Sequence, residues 1–165
     1  MLPELLSNDH CSLNSETDKL TLSAWMNYDK NGNFQSIRIS ETIMRSIWRG
    51  DYDSVGRYVA TNHPEEKDTP KRKDGSLPPI ETHTLLDNFY TLTQLINTTH
   101  EKLGKLEFDT NELSVDMDTH GEMNFRKRDR HVAHRMIETV MIEANRHIAK
   151  WMYDQKLIVP SRVHQ

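Results

Sequence analysis

Residues 130–153, RHVAHRMIETVMIEANRHIAKWMY, constrain this chain more than any other stretch. Ala133, Ile137, Val140, Met141, Ala144, Ile148, Trp151 and Met152 recur at helical spacing. That pattern predicts one helix of about six to seven turns, at roughly 3.6 residues per turn, with a continuous apolar stripe. A helix of this kind draws its stability from burying the stripe, so the rest of the chain must supply a layer to receive it. Arg135, Glu143, Arg146 and Lys150 fall on the other side and predict a solvated face. At about 100° per residue, His134, Glu138, Met141 and Asn145 share one flank of the stripe. By spacing alone this polar row has a plain structural account: a His or Asn beside a core satisfies a backbone group, and a Glu four residues after a His pairs with it. A metal site on His134 and Glu138 lacks the further ligands that Zn²⁺ requires, and no metal ligand is assigned.

The receiving layer is legible upstream. Leu20, Leu22, Ala24 and Met26 alternate within residues 20–28 and predict a strand with these side chains on one face. The following DKNGN is a hairpin turn, with Asn31-Gly32 supplying the positive φ, and Phe34, Ile37 and Ile39 mark the returning strand. The same string is no calcium loop, because its Gly is misplaced and no Glu closes it. Residues 61–80 hold four of the six prolines and the run Lys71-Arg72-Lys73, and predict a linker loop that is either mobile or an insertion, whose charges are solvated or else touch RNA phosphates. A second helix is expected over 82–103, with Leu85, Leu86, Phe89, Leu92, Leu95, Ile96 and Leu103 inside. Short strands are expected over 112–118 and 122–126, joined through Thr119-His120-Gly121, and another over 158–164. Asp129 is the available cap for the long helix, which follows the basic run Arg126-Lys127-Arg128. The fold class that results is α+β, a mostly antiparallel sheet packed against two long helices.

Several segments in order resemble one family. AHRMIETVMIEAN is similar to the helix Ala-His-x-Leu-Ile-Glu-Glu-x-Met-x-x-Ala-Asn of the catalytic (RNB) domain of the ribonuclease II and ribonuclease R 3′→5′ exoribonucleases. MLPELLSNDHCSLNSETDKL resembles an internal segment of that domain, and ETIMRSIWRGDY matches its next one, with Ser46, Arg49 and Tyr52 in register. Lys105-Leu106-Glu107-Phe108-Asp109-Thr110 resembles a further signature, and SRVHQ the Tyr-Arg-Val-His-Glu that follows the helix. The chain departs from the pattern at Gly50-Asp51, at Thr139, and at His131-Val132, where the family has Asn-Asp.

The resemblance implies a partial RNB domain over residues 1–165 and a segment of an enzyme that hydrolyses single-stranded RNA. It implies RNA-binding roles for Phe108, which would stack on the terminal bases, and for Tyr52 and Glu138, which would address the ribose. A carboxylate that accepts from a 2′-OH prefers RNA over DNA. His134 and Asn145 would support them from the helix. The family cuts RNA with Mg²⁺ held by an upstream Asp cluster and with a downstream Arg. This sequence carries neither, so no catalytic residue is assigned and the chain is expected to be inactive unless the missing segments of the same enzyme are supplied. Met1 coincides with an internal methionine of the pattern, which predicts a truncated or split reading frame. The alternative is a non-catalytic RNA-binding or protein-interaction remnant.

Composition sets outer bounds on both. One cysteine, Cys11, excludes an internal disulfide and predicts a cytoplasmic setting. No apolar run reaches membrane-spanning length. A net charge of −4 excludes nucleic-acid binding driven by overall charge, though not a local channel.

Overall fold

The computed structural model describes residues 2–70, 76–104, 113–117, 123–127 and 130–160; over 113–117 and 124–127 it describes the backbone only. The chain divides into two compact units, Met1–Asp51 with Ile137–Gln165, and Tyr52–Met136. The boundary falls within the long helix.

The first unit is built on an antiparallel hairpin, β1 (Asp18–Tyr28) and β2 (Phe34–Arg45). Its turn is organised by Asp29: Oδ1 accepts from the backbone N–H of Asn31 and of Asn33, each at 2.9 Å, and Oδ2 from the Asn33 amide. Of the two residues expected to supply positive φ, only Gly32 does, at 79°. These bonds hold the Asp29 carboxyl below its ordinary range. The period of two sorts the side chains as expected: Leu20 opposite Ile43, Ala24 opposite Ile39 and Met26 opposite Ile37 share one face with Tyr28 and Phe34. The other face is a ladder of short polar groups, in which Thr42 Oγ1 lies 2.7 Å from Thr21 Oγ1 and 2.6 Å from Ser23 Oγ.

The second unit is helical at its core. α1 (Tyr52–Asn62) contributes Val55, Tyr58 and Val59 at i, i+3, i+4 spacing, and α2 (His83–Lys102) contributes Leu86, Phe89 and Tyr90. Val132 and Met136, in the first turns of the long helix α3 (Val132–Asp154), complete the cluster. Full burial of each such side chain stabilises by about 1.5–3 kcal/mol. α2 ends with Gly104 at φ 86°, the left-handed conformation that closes many helices. A second antiparallel hairpin, β3 (Leu113–Met117) and β4 (Met123–Lys127), matches the two short strands expected.

Three expectations change. α1, a third helix, was not anticipated, since its Gly56 and polar N-terminus mask the period. The strand expected over 158–164 is absent from its described part, residues 158–160, where no neighbouring strand offers a ladder; residues 161–165 lie outside the description. The largest change is the rotation of α3. Val132, Met136, Thr139, Glu143 and His147 form its buried row, while Ile137, Met141 and Ile142 are 39%, 58% and 42% exposed. Glu143, expected on the solvated face, is therefore buried.

Candidate functional site

Tyr52 stands at the first position of α1, and in the second unit its ring lies flat on His134, centroids 4.1 Å apart and planes within 9°. The His134 ring is met edge-on by His131, with centroids 4.4 Å apart. His131 Nε2 lies 3.1 Å from Asp53 Oδ1 in the first turn of α1, so the tautomer carrying its proton on Nε2 donates to that carboxylate. A chain of contacts thus runs from a buried carboxylate-bound imidazole, through a second imidazole, to a tyrosine that keeps 47% of its surface exposed. An aromatic ring held from behind in this way is suited to stack a base or lie against a ribose.

Space for His131 is made by Gly56. A Cβ built there would sit 2.7 Å from both Cε1 and Nδ1 of the imidazole and 2.7 Å from Pro70 Cγ. Nδ1 is buried and finds no hydrogen-bond partner among the described residues.

The start of α3 is fastened by the segment after α1. The backbone N–H of Val132 donates to the Asp68 carbonyl at 3.1 Å. Arg135 pairs with Glu66, at 3.0 Å, and with Asp68. Two carboxylates in this place offset the unfavourable positive charge in the first turn of a helix. Residues 63–70, inside the expected mobile linker, therefore make specific contacts. Asp87 accepts from the Tyr58 hydroxyl at 3.0 Å, and burial, then this bond, pushes the Tyr58 phenol up.

Further along α3, in the first unit, Glu138 is half-buried one turn beyond His134, and Asn145 is exposed. Phe108 lies outside the described residues. Among the sequence-predicted site residues, the structure brings Tyr52 and His134 into contact; it adds His131 and Asp53, which spacing could not pair across 78 positions. The only sequence signal for His131 was its departure from the family pattern.

The buried row of α3 carries a second cluster. Glu143 Oε2 accepts from the Tyr28 hydroxyl at 2.7 Å and lies 3.1 Å from His147 Nε2. The Phe34 ring stacks on His147 at 3.5 Å, and Tyr28 meets Phe34 edge-on. Burial, then the Glu143 bond, pushes the Tyr28 phenol well above its usual 10.0. The cluster docks the turn end of the hairpin on α3. The i, i+4 spacing of Glu143 and His147 was its one sequence signal.

Among the described residues, no group of three or more His, Cys, Asp or Glu could hold a metal ion, and no helix is long and apolar enough to cross a membrane.

The RNB domain model matches residues 1–165. Ribonuclease R 2 of Lactococcus lactis is 30% identical over 99% of this chain, which spans 24% of that relative. Ribonuclease R of Aquifex aeolicus is 31% identical over the whole chain, which covers 22% of it. Among solved structures, Mycoplasma genitalium RNase R in complex with ribose methylated single-stranded RNA superposes with a TM-score of 0.81 at 27% identity, covering 99% of this chain and 24% of that one. The chain therefore spans about a quarter of the proteins it matches.

Proposed function

The chain belongs to the RNB domain family, and from that premise we propose that it is the part of a ribonuclease-R-type 3′→5′ exoribonuclease that holds the 3′ end of single-stranded RNA. The observation that carries the proposal is the Tyr52–His134 stack, a half-exposed aromatic backed by an imidazole at the start of α1. In this reading Tyr52 and Glu138 address the terminal ribose, Phe108 stacks on the bases, and His134 and Asn145 support them. The solved relative bound to single-stranded RNA supports the choice of ligand.

Hydrolysis is outside the reach of these residues. In the family Mg²⁺ would polarise the phosphate, but the described residues offer no donor set that fits it. The proposed activity therefore depends on the remaining segments of the enzyme, and a cytoplasmic setting belongs to the same proposal.

Fluorescence anisotropy at one fixed salt concentration tests it, with a 5′-labelled oligoribonucleotide and its DNA counterpart. Phe108→Ala should weaken both by about 1–3 kcal/mol, since stacking does not read the sugar. Glu138→Ala should narrow the gap between RNA and DNA, and Lys150→Ala should change neither. An unchanged RNA-to-DNA ratio for a folded Glu138→Ala protein would overturn the ribose assignment and leave a non-catalytic remnant as the better reading.

A further inference from the structure

None of the residues read as holding the 3′ end stands on the polar face of the β1–β2 hairpin. Its ladder positions are Lys19 opposite Met44, Thr21 opposite Thr42, Ser23 opposite Ser40, Trp25 opposite Arg38, and Asn27 opposite Ser36. No acidic residue stands at any of these positions, in a chain whose net charge is −4. Lys19 is paired with Asp9 at 3.2 Å. Arg38 differs: its guanidinium lies 5.4 Å from the centroid of the Trp25 ring. Among the described residues it has neither an ion pair nor a hydrogen bond.

The indole is held in place as well. Its Nε1–H donates to Ser40 Oγ at 3.2 Å, which sets the plane of the ring, yet Trp25 remains 51% exposed. Beside it the Asn27 amide donates to Ser36 Oγ at 3.0 Å. An exposed Trp in the middle of a polar strand face costs solvation, and an exposed Arg leaves its fork of donors to water. Together they offer what a nucleotide needs: a fixed π-face for the base and a planar cation for the phosphate. The ladder of small side chains around them leaves no bulky group to block a strand.

We propose that Trp25 and Arg38 form a second contact for single-stranded RNA, one that takes internal nucleotides and needs no 3′ end. Charge complementarity selects this occupant over an apolar partner, whose match would be the opposite hairpin face with Leu20, Leu22 and Ile43. The proposal rests on the reading of the chain as an RNA-holding segment, but its chemistry differs from that of the 3′-end site, so the two can fail separately.

The probe is a circular oligouridylate, which has no end for Tyr52 to hold, titrated into the full chain at several salt concentrations. Trp25→Ala should weaken binding by about five- to a hundred-fold, and Trp25→Phe should recover most of it because stacking survives. Arg38→Ala should lower the slope of log K against log salt by about 0.7. Tyr52→Ala should leave the circular ligand unaffected while weakening a linear one. Equal binding of the circle by the parent protein and a folded Trp25→Ala variant would overturn the proposal, as would equal displacement by polyglutamate, which would make the face a site for acidic peptides. Loss of linear binding in Tyr52→Ala with the circle still held would keep both readings; loss of neither would sink the 3′-end reading alone.

Discussion

Replacing Glu143 by Ala is the sharpest single perturbation of the first unit. Its carboxylate accepts from the Tyr28 hydroxyl at 2.7 Å and from the His147 ring at 3.1 Å, with its side chain only 4% exposed. A hydrogen bond to a charged group contributes about 1.5–3 kcal/mol, and two would give about 3–6 kcal/mol. Removing the carboxylate also relieves its own desolvation, which offsets part of that sum, so the net loss should be about 2–4 kcal/mol. Glu143→Gln keeps the volume and one acceptor for Tyr28 and should cost about half as much. Arg146, 60% exposed and 3.9 Å from Glu143, is the control, and Arg146→Ala should stay within about 0.5 kcal/mol. Urea unfolding at pH 7 followed by tryptophan emission is the assay. All three tryptophans, Trp25, Trp48 and Trp151, belong to the first unit, so the signal reports that unit without the other. If Glu143→Ala and Arg146→Ala unfold at the same midpoint, the buried carboxylate does not hold the hairpin.

Gly56→Ala normally strengthens a helix interior by about 1 kcal/mol; here the new methyl meets His131 and Pro70. The expected result is a net loss of about 1–2 kcal/mol in a thermal or urea melt, made smaller when His131→Ala is also present, with the contact to Pro70 remaining. The raised Tyr28 phenol stays protonated in the folded state above pH 10.0, where the unfolded one ionises. Its stabilisation is present in full below pH 10.0 and is lost as pH rises toward the folded value. Tyr28→Phe should therefore flatten the alkaline limb of a stability-against-pH curve read by tryptophan emission. Leu20, Leu22 and Ile43 are 85%, 75% and 71% exposed on one hairpin face, so sedimentation velocity should show concentration-dependent self-association, abolished by Leu20→Lys with Ile43→Glu. A monodisperse parent protein at all concentrations would refute that.

Periodicity placed β1, α2 and α3 and the start of β2 within a few residues, because long amphipathic elements repeat their signal many times; β2 runs on to Arg45, beyond the Ile39 that marked it. It misjudged which side of α3 is buried. The helical period assigns Glu143 to solvent, and the hydroxyl of Tyr28 and the ring of Phe34 on His147, more than a hundred positions away, make the burial of this pair favourable. Tyr90 and Thr93 of α2 were missed for a similar reason: Thr93 is buried because its hydroxyl bonds the Tyr90 carbonyl within the same helix. In the candidate site, Tyr52 and His134 were legible through family resemblance, whereas the Asp53–His131 pair behind them exists only in three dimensions.

Gly56 and His131 are one variable written at two places in the chain. The glycine has no left-handed φ to justify it; it is there because the imidazole, together with the Pro70 ring, occupies the volume of its missing side chain. In a set of close homologues this coupling should show as correlated substitution: where position 131 carries Asn or Ser and position 70 no proline, position 56 is released to Ala, and where histidine persists the glycine persists with it. A lineage can cross between these states only by shrinking the ring first, since the methyl cannot arrive while the ring is in place.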